Sequence, residues 1–170
     1  TFNGTTLTIS ATPVDRAPIP DEGATNVAGI AIVGSDMYCV KTTGLKTTLL
    51  KTTDYTTAKA TAVKKDLNWF ALGLTKIGNY LYILAEDHKG YGGSTTIVKL
   101  DTKVNQLGTY NIKNICPNGA LGITAADGTN EKFIIMHYTG SNNAGTLTFS
   151  VVNWKELLYF KTTAKIAEPQ

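Results

Sequence analysis

Residues 71–86 have the sequence ALGLTKIGNYLYILAE, and they decide how the rest of the chain is interpreted. A run of residues typical of β-strands leads to the dipeptide Gly78-Asn79, and a second such run, Tyr80-Leu81-Tyr82-Ile83-Leu84, follows it. A short turn containing Gly or Asn between two such runs is a strong local sign of a β-hairpin. The sequence therefore predicts two antiparallel strands joined by a tight turn.

The same pattern occurs twice more in the chain. Residues 27–40 have the sequence VAGIAIVGSDMYCV, and residues 120–136 have the sequence ALGITAADGTNEKFIIM. Alignment of the three segments places Gly29, Gly73 and Gly122 at equivalent positions, spaced by roughly 45 to 50 residues, a period typical of repeat architectures. The sequence thus predicts three copies of one hairpin-containing unit.

Further strands are predicted after each hairpin, in the same order. Each third strand is rich in β-branched residues, and Asp or Asn follows it soon afterwards, where a turn is expected. The predicted third strands are 47–50, 95–100 and 146–151, and weaker fourth strands are predicted near 61–63, 108–112 and 159–162.

Residues 26–165 resemble the blade repeats of β-propellers, which consist of four antiparallel strands each. The resemblance implies that the first strand of each blade lies nearest the axis, where the small residues of Ala28-Gly29 suit the crowding. No Trp-Asp signature is present, and the resemblance points to no specific propeller family. We therefore expect an all-β protein with three four-stranded antiparallel, propeller-like blades; a β-sandwich is the main alternative, and a solenoid is another.

The expected domain organisation follows from these repeats. Residues 1–25 are interpreted as an N-terminal strand, at Leu7-Thr8-Ile9-Ser10, followed by a linker. The repeat domain is expected to occupy residues 26–170, with repeats at about 26–69, 70–117 and 118–165.

Three blades cannot close around an axis, because closed propellers typically need four to eight. An open arc would leave an apolar blade face exposed to water at each end, which soluble monomers avoid. We therefore expect either a homodimer, which would give six blades around a two-fold axis, or the remainder of a larger propeller as the partner.

Composition excludes several classes of protein. Apolar residues make up 42% of the chain and charged residues only 17%, whereas disorder requires low hydrophobicity and high charge. The formal net charge is +3, but the lysines are scattered and Arg16 is the only arginine, so no nucleic-acid partner is expected. No apolar run approaches the roughly 20 residues that span a bilayer, so no membrane span is expected.

An extracellular, secreted protein is expected from the N-terminus. The sequence begins at Thr1 rather than Met, which indicates a processed mature chain or an excised fragment, and Asn3-Gly4-Thr5 fits the glycosylation sequon. Cys39 and Cys116 lack metal-site spacing and are interpreted as unpaired, buried thiols.

Two loops contain the candidate functional residues. Residues 86–94 and 137–145 follow the second strands of repeats two and three, and each combines an aromatic ring, Gly, and Asp or Asn. A flat ring can stack on the C–H face of a sugar, while amides and carboxylates can bind pairs of hydroxyls. The predicted ligand-binding residues are Asp87, His88, Tyr91, His137, Tyr138, Asn142 and Asn143.

The sequence therefore predicts a carbohydrate-binding module of lectin type. The alternative is part of a larger propeller scaffold or enzyme subunit whose site requires other blades. We predict no catalytic residues, no metal site and no cofactor. The cluster around Asp87 and His88 lacks a visible third ligand or nucleophile, and the glycines of 90–93 are not followed by the Lys-Ser/Thr and helix of a phosphate-binding loop.

Overall fold

The computed structural model describes twelve β-strands. The described residues are 26–43, 46–53, 63–67, 69–86, 96–127, 130–139, 146–153 and 158–162. The strands in these ranges are β1 (Asn26–Val33), β2 (Asp36–Thr43), β3 (Lys46–Thr53), β4 (Val63–Leu67), β5 (Phe70–Ile77), β6 (Tyr80–Glu86), β7 (Thr96–Leu100), β8 (Gln106–Asn111), β9 (Ala120–Ala125), β10 (Lys132–Thr139), β11 (Thr146–Asn153) and β12 (Leu158–Thr162).

The strands form three separate sheets of four. Sheet 1 contains β1 to β4, sheet 2 contains β5 to β8, and sheet 3 contains β9 to β12, each paired in sequence order. Every pairing is antiparallel. The prediction of an all-β protein with three four-stranded antiparallel, propeller-like blades is confirmed. The N-terminal strand predicted within residues 1–25 lies outside the described residues.

The fourth strand of sheet 1 lies later in the chain than the sequence predicted. A strand was expected near residues 61–63, whereas β4 begins at Val63 and continues to Leu67, paired with Thr47–Lys51 of β3. The charged run Lys64-Lys65-Asp66 is not typical of a strand by propensity. The strand forms here because its backbone pairs with β3 as the last strand of the sheet.

Two hairpins turn through a glycine that tolerates a positive φ. Gly34 has a φ of 61° and Gly78 a φ of 55°, and each is the first of two residues that join its strands. Glycine at the first central position is the signature of a type II′ turn, whose twist matches that of the flanking strands. In the third hairpin, Asp127 accepts a hydrogen bond of 2.6 Å from the backbone N–H of Asn130.

A β-bulge recurs at the same position in all three sheets. The pairing of the first two strands shifts by one residue immediately before Gly29, Gly73 and Gly122, so that Ala28, Leu72 and Leu121 have no direct partner. A bulge bends a strand and increases its twist. The three first strands are therefore bent at one shared level.

The first strands of the sheets stack on one another at these glycines. A Cβ atom on Gly29 would lie 2.6 Å from the backbone nitrogen of Leu74, and one on Gly73 would lie 3.0 Å from Cγ2 of Ile123. The contacts have the same register from sheet to sheet, so β1, β5 and β9 run in the same direction. The three sheets thus form an arc whose inner strands are β1, β5 and β9.

Two apolar cores fill the spaces between the sheets. The first lies between sheets 1 and 2 and includes Tyr38, Leu49 and Ile83. The second lies between sheets 2 and 3 and includes Phe133, whose ring meets that of Tyr82 edge-on at a centroid distance of 4.7 Å. Sheet 2 is therefore buried on both faces, whereas sheets 1 and 3 each pack one face in these cores.

We expect Gly29→Ala to destabilise the protein more than Gly73→Ala. The new methyl group on residue 29 would overlap the backbone of Leu74, which cannot move without disturbing β5, at a cost of about 1–3 kcal/mol. The methyl group on residue 73 would lie 3.0 Å from Cγ2 of Ile123 and 3.6 Å from its backbone nitrogen, so a shift of a few tenths of an ångström relieves the contact. Urea unfolding of the two variants measures the difference, and equal losses of stability would contradict the close backbone approach.

Candidate functional site

The arc has two edges that differ in their connections. Because β1, β5 and β9 run in the same direction, their first residues lie at one edge, together with the last residues of β2, β6 and β10. We call this the loop edge, since the long connections 87–95 and 140–145 start there. We call the opposite edge, which holds the turns at Gly34 and Gly78, the turn edge.

Most of the predicted ligand-binding residues lie outside the described residues. These are Asp87, His88, Tyr91, Asn142 and Asn143. The structure describes His137 and Tyr138, and both lie near the C-terminal end of β10, at the loop edge. They are adjacent in sequence, so their side chains point to opposite faces of sheet 3.

His137 points into the core between sheets 2 and 3. Its side chain is 1% exposed, and its Nε2 atom lies 2.9 Å from Oγ of Ser150, which is buried as well. Its direct cross-strand partner is Thr148, also buried. Since the imidazole is enclosed by its own sheet and the core, we assign His137 to the packing of sheet 3.

Tyr138 lies on the outward face of sheet 3, opposite Leu147 of β11, and 46% of its surface is exposed. A tyrosine held in a strand loses little further entropy on binding and offers both a flat apolar ring and a hydroxyl group. Of the two described candidates, Tyr138 is therefore the one that a ligand can reach.

A group of threonines holds the end of the β10–β11 hairpin beneath Tyr138. The hydroxyl groups of Thr139 and Thr148 lie 3.0 Å apart. Each hydroxyl also lies 3.3 Å from the backbone carbonyl oxygen of Thr146, so one hydroxyl donates to the other and the second donates to this carbonyl. These bonds join the last residue of β10 to the start of β11 and give the loop between them a fixed base.

The loop edge between sheets 1 and 2 is held by a side chain to backbone bond. The backbone N–H of Ala71, at the start of β5, donates to Oγ1 of the fully buried Thr47 at 3.1 Å. Trp69, just before β5, is partly buried and packs against the first core.

At the turn edge, a tyrosine and a cross-strand lysine tie each sheet to the next. In sheet 1, Tyr38 pairs with Lys51, whose Nζ lies 5.4 Å from the ring centroid, and the tyrosine hydroxyl donates to the Thr102 carbonyl of sheet 2 at 2.8 Å. Lys51 also forms a 2.7 Å ion pair with Asp36, and this hydrogen bond raises the lysine pKa.

Sheet 2 repeats this arrangement with a charged acceptor. Tyr82 pairs with Lys99, and both the tyrosine hydroxyl and the Lys99 ammonium bond to the carboxylate of Glu131, which precedes β10 of sheet 3. The Lys99 Nζ also lies 4.2 Å from the ring centroid of Tyr80. Because Tyr82 and Lys99 of sheet 2 both bond to Glu131, we interpret this cluster as a connection between sheets 2 and 3.

Sequence reasoning missed this cluster of Tyr80, Tyr82, Lys99 and Glu131. A usable signal was present, since Tyr38/Lys51 and Tyr82/Lys99 occupy the same register in two repeats. The signal becomes visible only when the third strands are paired residue by residue with the second.

The two cysteines are buried, and the described acidic groups form no cluster that could hold a metal ion. Cys39 and Cys116 are free and buried. Burial raises the pKa of the Cys39 thiol, and it raises that of Cys116 to about 12. Across the described ranges, no three His, Cys, Asp or Glu side chains group closely enough to hold a metal ion.

In the part of the chain that the structure describes, no helix has the length and apolar character needed to cross a bilayer.

Comparison with known proteins shows a distant structural likeness and no family. No family model matches the sequence, and no curated protein matches it. Among solved structures, the chain is similar to the tricorn protease at 13% identity and a TM-score of 0.46. The match covers 82% of this chain but only 13% of that protein. The assignment of the fold therefore rests on the sheet topology and register described above.

We expect Tyr82 to make stability fall at alkaline pH. Its pKa is raised far above the ordinary value of 10.0, first by burial and then by its bond to Glu131. The folded state therefore favours the neutral phenol, whose contribution is complete below pH 10 and is lost as the pH rises towards the folded pKa. Urea unfolding from pH 8 to 11 should show a steeper loss for the natural protein than for Tyr82→Phe, and parallel curves would contradict the prediction.

We expect both thiols to react slowly in the folded protein. The thiolate is the nucleophile, and burial both hinders access and raises the pKa. At pH 8, a disulfide reagent should modify the native chain at least about tenfold more slowly than the urea-unfolded chain. Fast modification of either Cys39 or Cys116 without denaturant would contradict the buried placement.

Proposed function

We propose that this protein is a carbohydrate-binding module that engages its ligand at the loop edge. The single observation that carries the proposal is the exposed ring of Tyr138, fixed in β10 at the point where a long polar connection begins. Surface loops on a rigid scaffold are common positions for binding residues.

The chemistry of the adjacent sequence supports a sugar as the ligand. A sugar presents an apolar face of C–H groups and a rim of hydroxyl pairs. Tyr138 supplies the ring for the face, and the side chains of Asn142 and Asn143, which follow in the sequence, supply amide donors and acceptors for the rim. We propose these three residues as one binding unit.

A second binding unit is proposed at the end of β6. The connection after this strand contains Asp87, His88 and Tyr91, which have comparable chemistry, and β6 ends at the same edge as β10. Two weak sites on one scaffold raise the overall affinity for a branched or repeating glycan without new contacts. A secreted, extracellular protein is proposed accordingly.

The second candidate function is that of a scaffold within a larger propeller. The observation that favours it is the exposure of apolar residues on the two end sheets, such as Ile30 on sheet 1 and Leu121 on sheet 3. On this proposal the ligand site would be completed by other blades, supplied by a homodimer partner or by a longer chain.

We expect Tyr138→Ala to weaken sugar binding at least tenfold while leaving stability nearly unchanged, because the side chain is half exposed and stacking of an aromatic ring is lost. A glycan array identifies the sugar, and calorimetry with that sugar gives the affinity. The matched control is Tyr80→Ala, which removes a similarly exposed tyrosine from the turn edge. Absence of binding across diverse glycans, or equal losses in both variants, would overturn the proposal.

A further inference from the structure

The outward face of sheet 3 is the most apolar sheet surface that the described residues leave partly open. Along β10 and β11 the side chains alternate between fully buried and partly exposed, and the partly exposed set faces away from sheet 2. We call the part of this set that lies level with Gly122 and Thr124 of β9, together with Gly122, the sheet 3 end face. Its members are Gly122, Ile134, Met136, Phe149 and Val151; Tyr138 and Leu147, the pair nearest the loop edge, are not part of it.

At the other end of the arc, sheet 1 exposes apolar residues along its inner strand. Val27, Ile30 and Ile32 of β1 are all exposed, and we call them the β1 row. On the same face of sheet 1, Cys39 and Leu50 are buried. The open part of this face is therefore the inner strand itself.

A pairing rule connects the sheets inside the chain. At each internal contact, the glycine of one inner strand accepts the aliphatic residue that follows the glycine of the next inner strand. Gly29 lies against Leu74, and Gly73 lies against Ile123. If the same contact continued beyond both ends of the arc, Gly122 would require an aliphatic residue from a following strand, and Ile30 would require a glycine from a preceding strand.

The geometry at both residues agrees with this reading. Among the described residues, a Cβ atom on Gly122 would meet only Met136 of its own sheet, at 3.4 Å, and no described strand lies against the glycine as β5 lies against Gly29. Ile30 is 51% exposed, whereas Leu74, its equivalent in sheet 2, is 7% exposed.

We propose that two copies of this chain associate head to tail, with the sheet 3 end face of each copy covering the β1 row of the other. Gly122 of one copy accepts the partner's Ile30, as Gly29 accepts Leu74 within the chain. The contact occurs twice around a two-fold axis and produces a closed ring of six sheets, a number within the range of closed propellers.

A backbone hydrogen bond is expected to accompany this contact. Inside the chain, Oγ1 of Thr75 accepts from the backbone N–H of Ala125 in the next inner strand at 3.1 Å. Thr124 stands at the position of Thr75, two residues after its glycine, and is exposed. In the dimer, Thr124 accepts from the backbone N–H of the partner's Ile32.

The chemistry of the end face favours an apolar protein surface as its occupant. In sheets 1 and 2, a tyrosine and a lysine stand opposite each other on the face that meets the next sheet. In sheet 3, the equivalent pair is Ile134 and Val151. Because sheet 3 lacks the polar pair, an occupant of its end face is held by burial of apolar surface alone. This burial contributes roughly 25 cal/mol for each Å² of apolar surface removed from water.

A second copy satisfies this requirement with surfaces that are both present in one chain. The β1 row supplies the aliphatic residues, and one symmetry operation covers both ends at once. Other occupants, such as a separate protein or further blades of a longer chain, would each need a new surface that matches Gly122.

The experiment is sedimentation velocity on the full chain and on three variants, each first checked for native circular dichroism. The mass derived from the sedimentation of the natural chain should be twice that of the monomer. Ile30→Asp places a carboxylate in the contact, and Gly122→Val fills the groove that receives the isoleucine, so each should raise the dimer dissociation constant at least tenfold. Leu107→Asp is the matched control, because Leu107 is also 51% exposed but belongs to the middle sheet; it should remain dimeric.

Each other result overturns the proposal. A natural chain that is monomeric at all concentrations tested, or that forms open oligomers of increasing mass, would exclude the closed dimer. A dimer that survives both Ile30→Asp and Gly122→Val would use a different surface, and a dimer lost equally in Leu107→Asp would show a general effect of the added charge.

The outcome is separable from that of the proposed ligand binding. A monomer that binds sugar would overturn the dimer and keep the binding function, whereas a dimer of the expected kind that binds no glycan would do the reverse.

Discussion

The close approach of the three inner strands is the constraint on which the rest of the structure depends. Gly29 brings β1 so close to β5 that a Cβ atom would overlap the backbone of Leu74, and Gly73 brings β5 against the side chain of Ile123 in β9. The bulge before each glycine bends the strands at this level. Because the two contacts share one register, the sheets fan out in one direction, and the long connections 87–95 and 140–145 start at one edge.

The two edges of the arc differ in the bonds that hold them. At the turn edge, Tyr38 reaches the backbone of sheet 2, and Tyr82 reaches Glu131 of sheet 3, so each sheet is tied to the next by polar bonds that span a long sequence separation. At the loop edge, buried Thr47 of sheet 1 bonds to Ala71 of sheet 2, buried Thr148 bonds to Thr139 within sheet 3, and Tyr138 reaches the surface.

The open ends of the arc follow from the same stacking. Within the chain, Gly29 packs against Leu74 and Gly73 packs against Ile123. Among the described residues, Ile30 of sheet 1 has no glycine of a preceding sheet against it, and Gly122 of sheet 3 has no aliphatic residue of a following sheet. Apolar surface at both ends is costly in water. Both the exposed apolar surface and the complementarity of the two ends arise because one four-stranded sheet is repeated three times.

Local sequence was sufficient for the sheets and insufficient for the site. Hairpins, turns and bulges depend on neighbouring residues, so Gly34, Gly78 and the three-fold repeat were predictable from pattern alone. The β4 strand was misplaced because its charged residues are stabilised by pairing with β3 rather than by propensity. The contact of Tyr82 with Glu131 joins residues 49 positions apart and depends on how two sheets pack, which no local pattern specifies. For the same reason, only the packed structure separated buried His137 from exposed Tyr138: alternation along a strand sets opposite faces, and tertiary packing decides which face meets water.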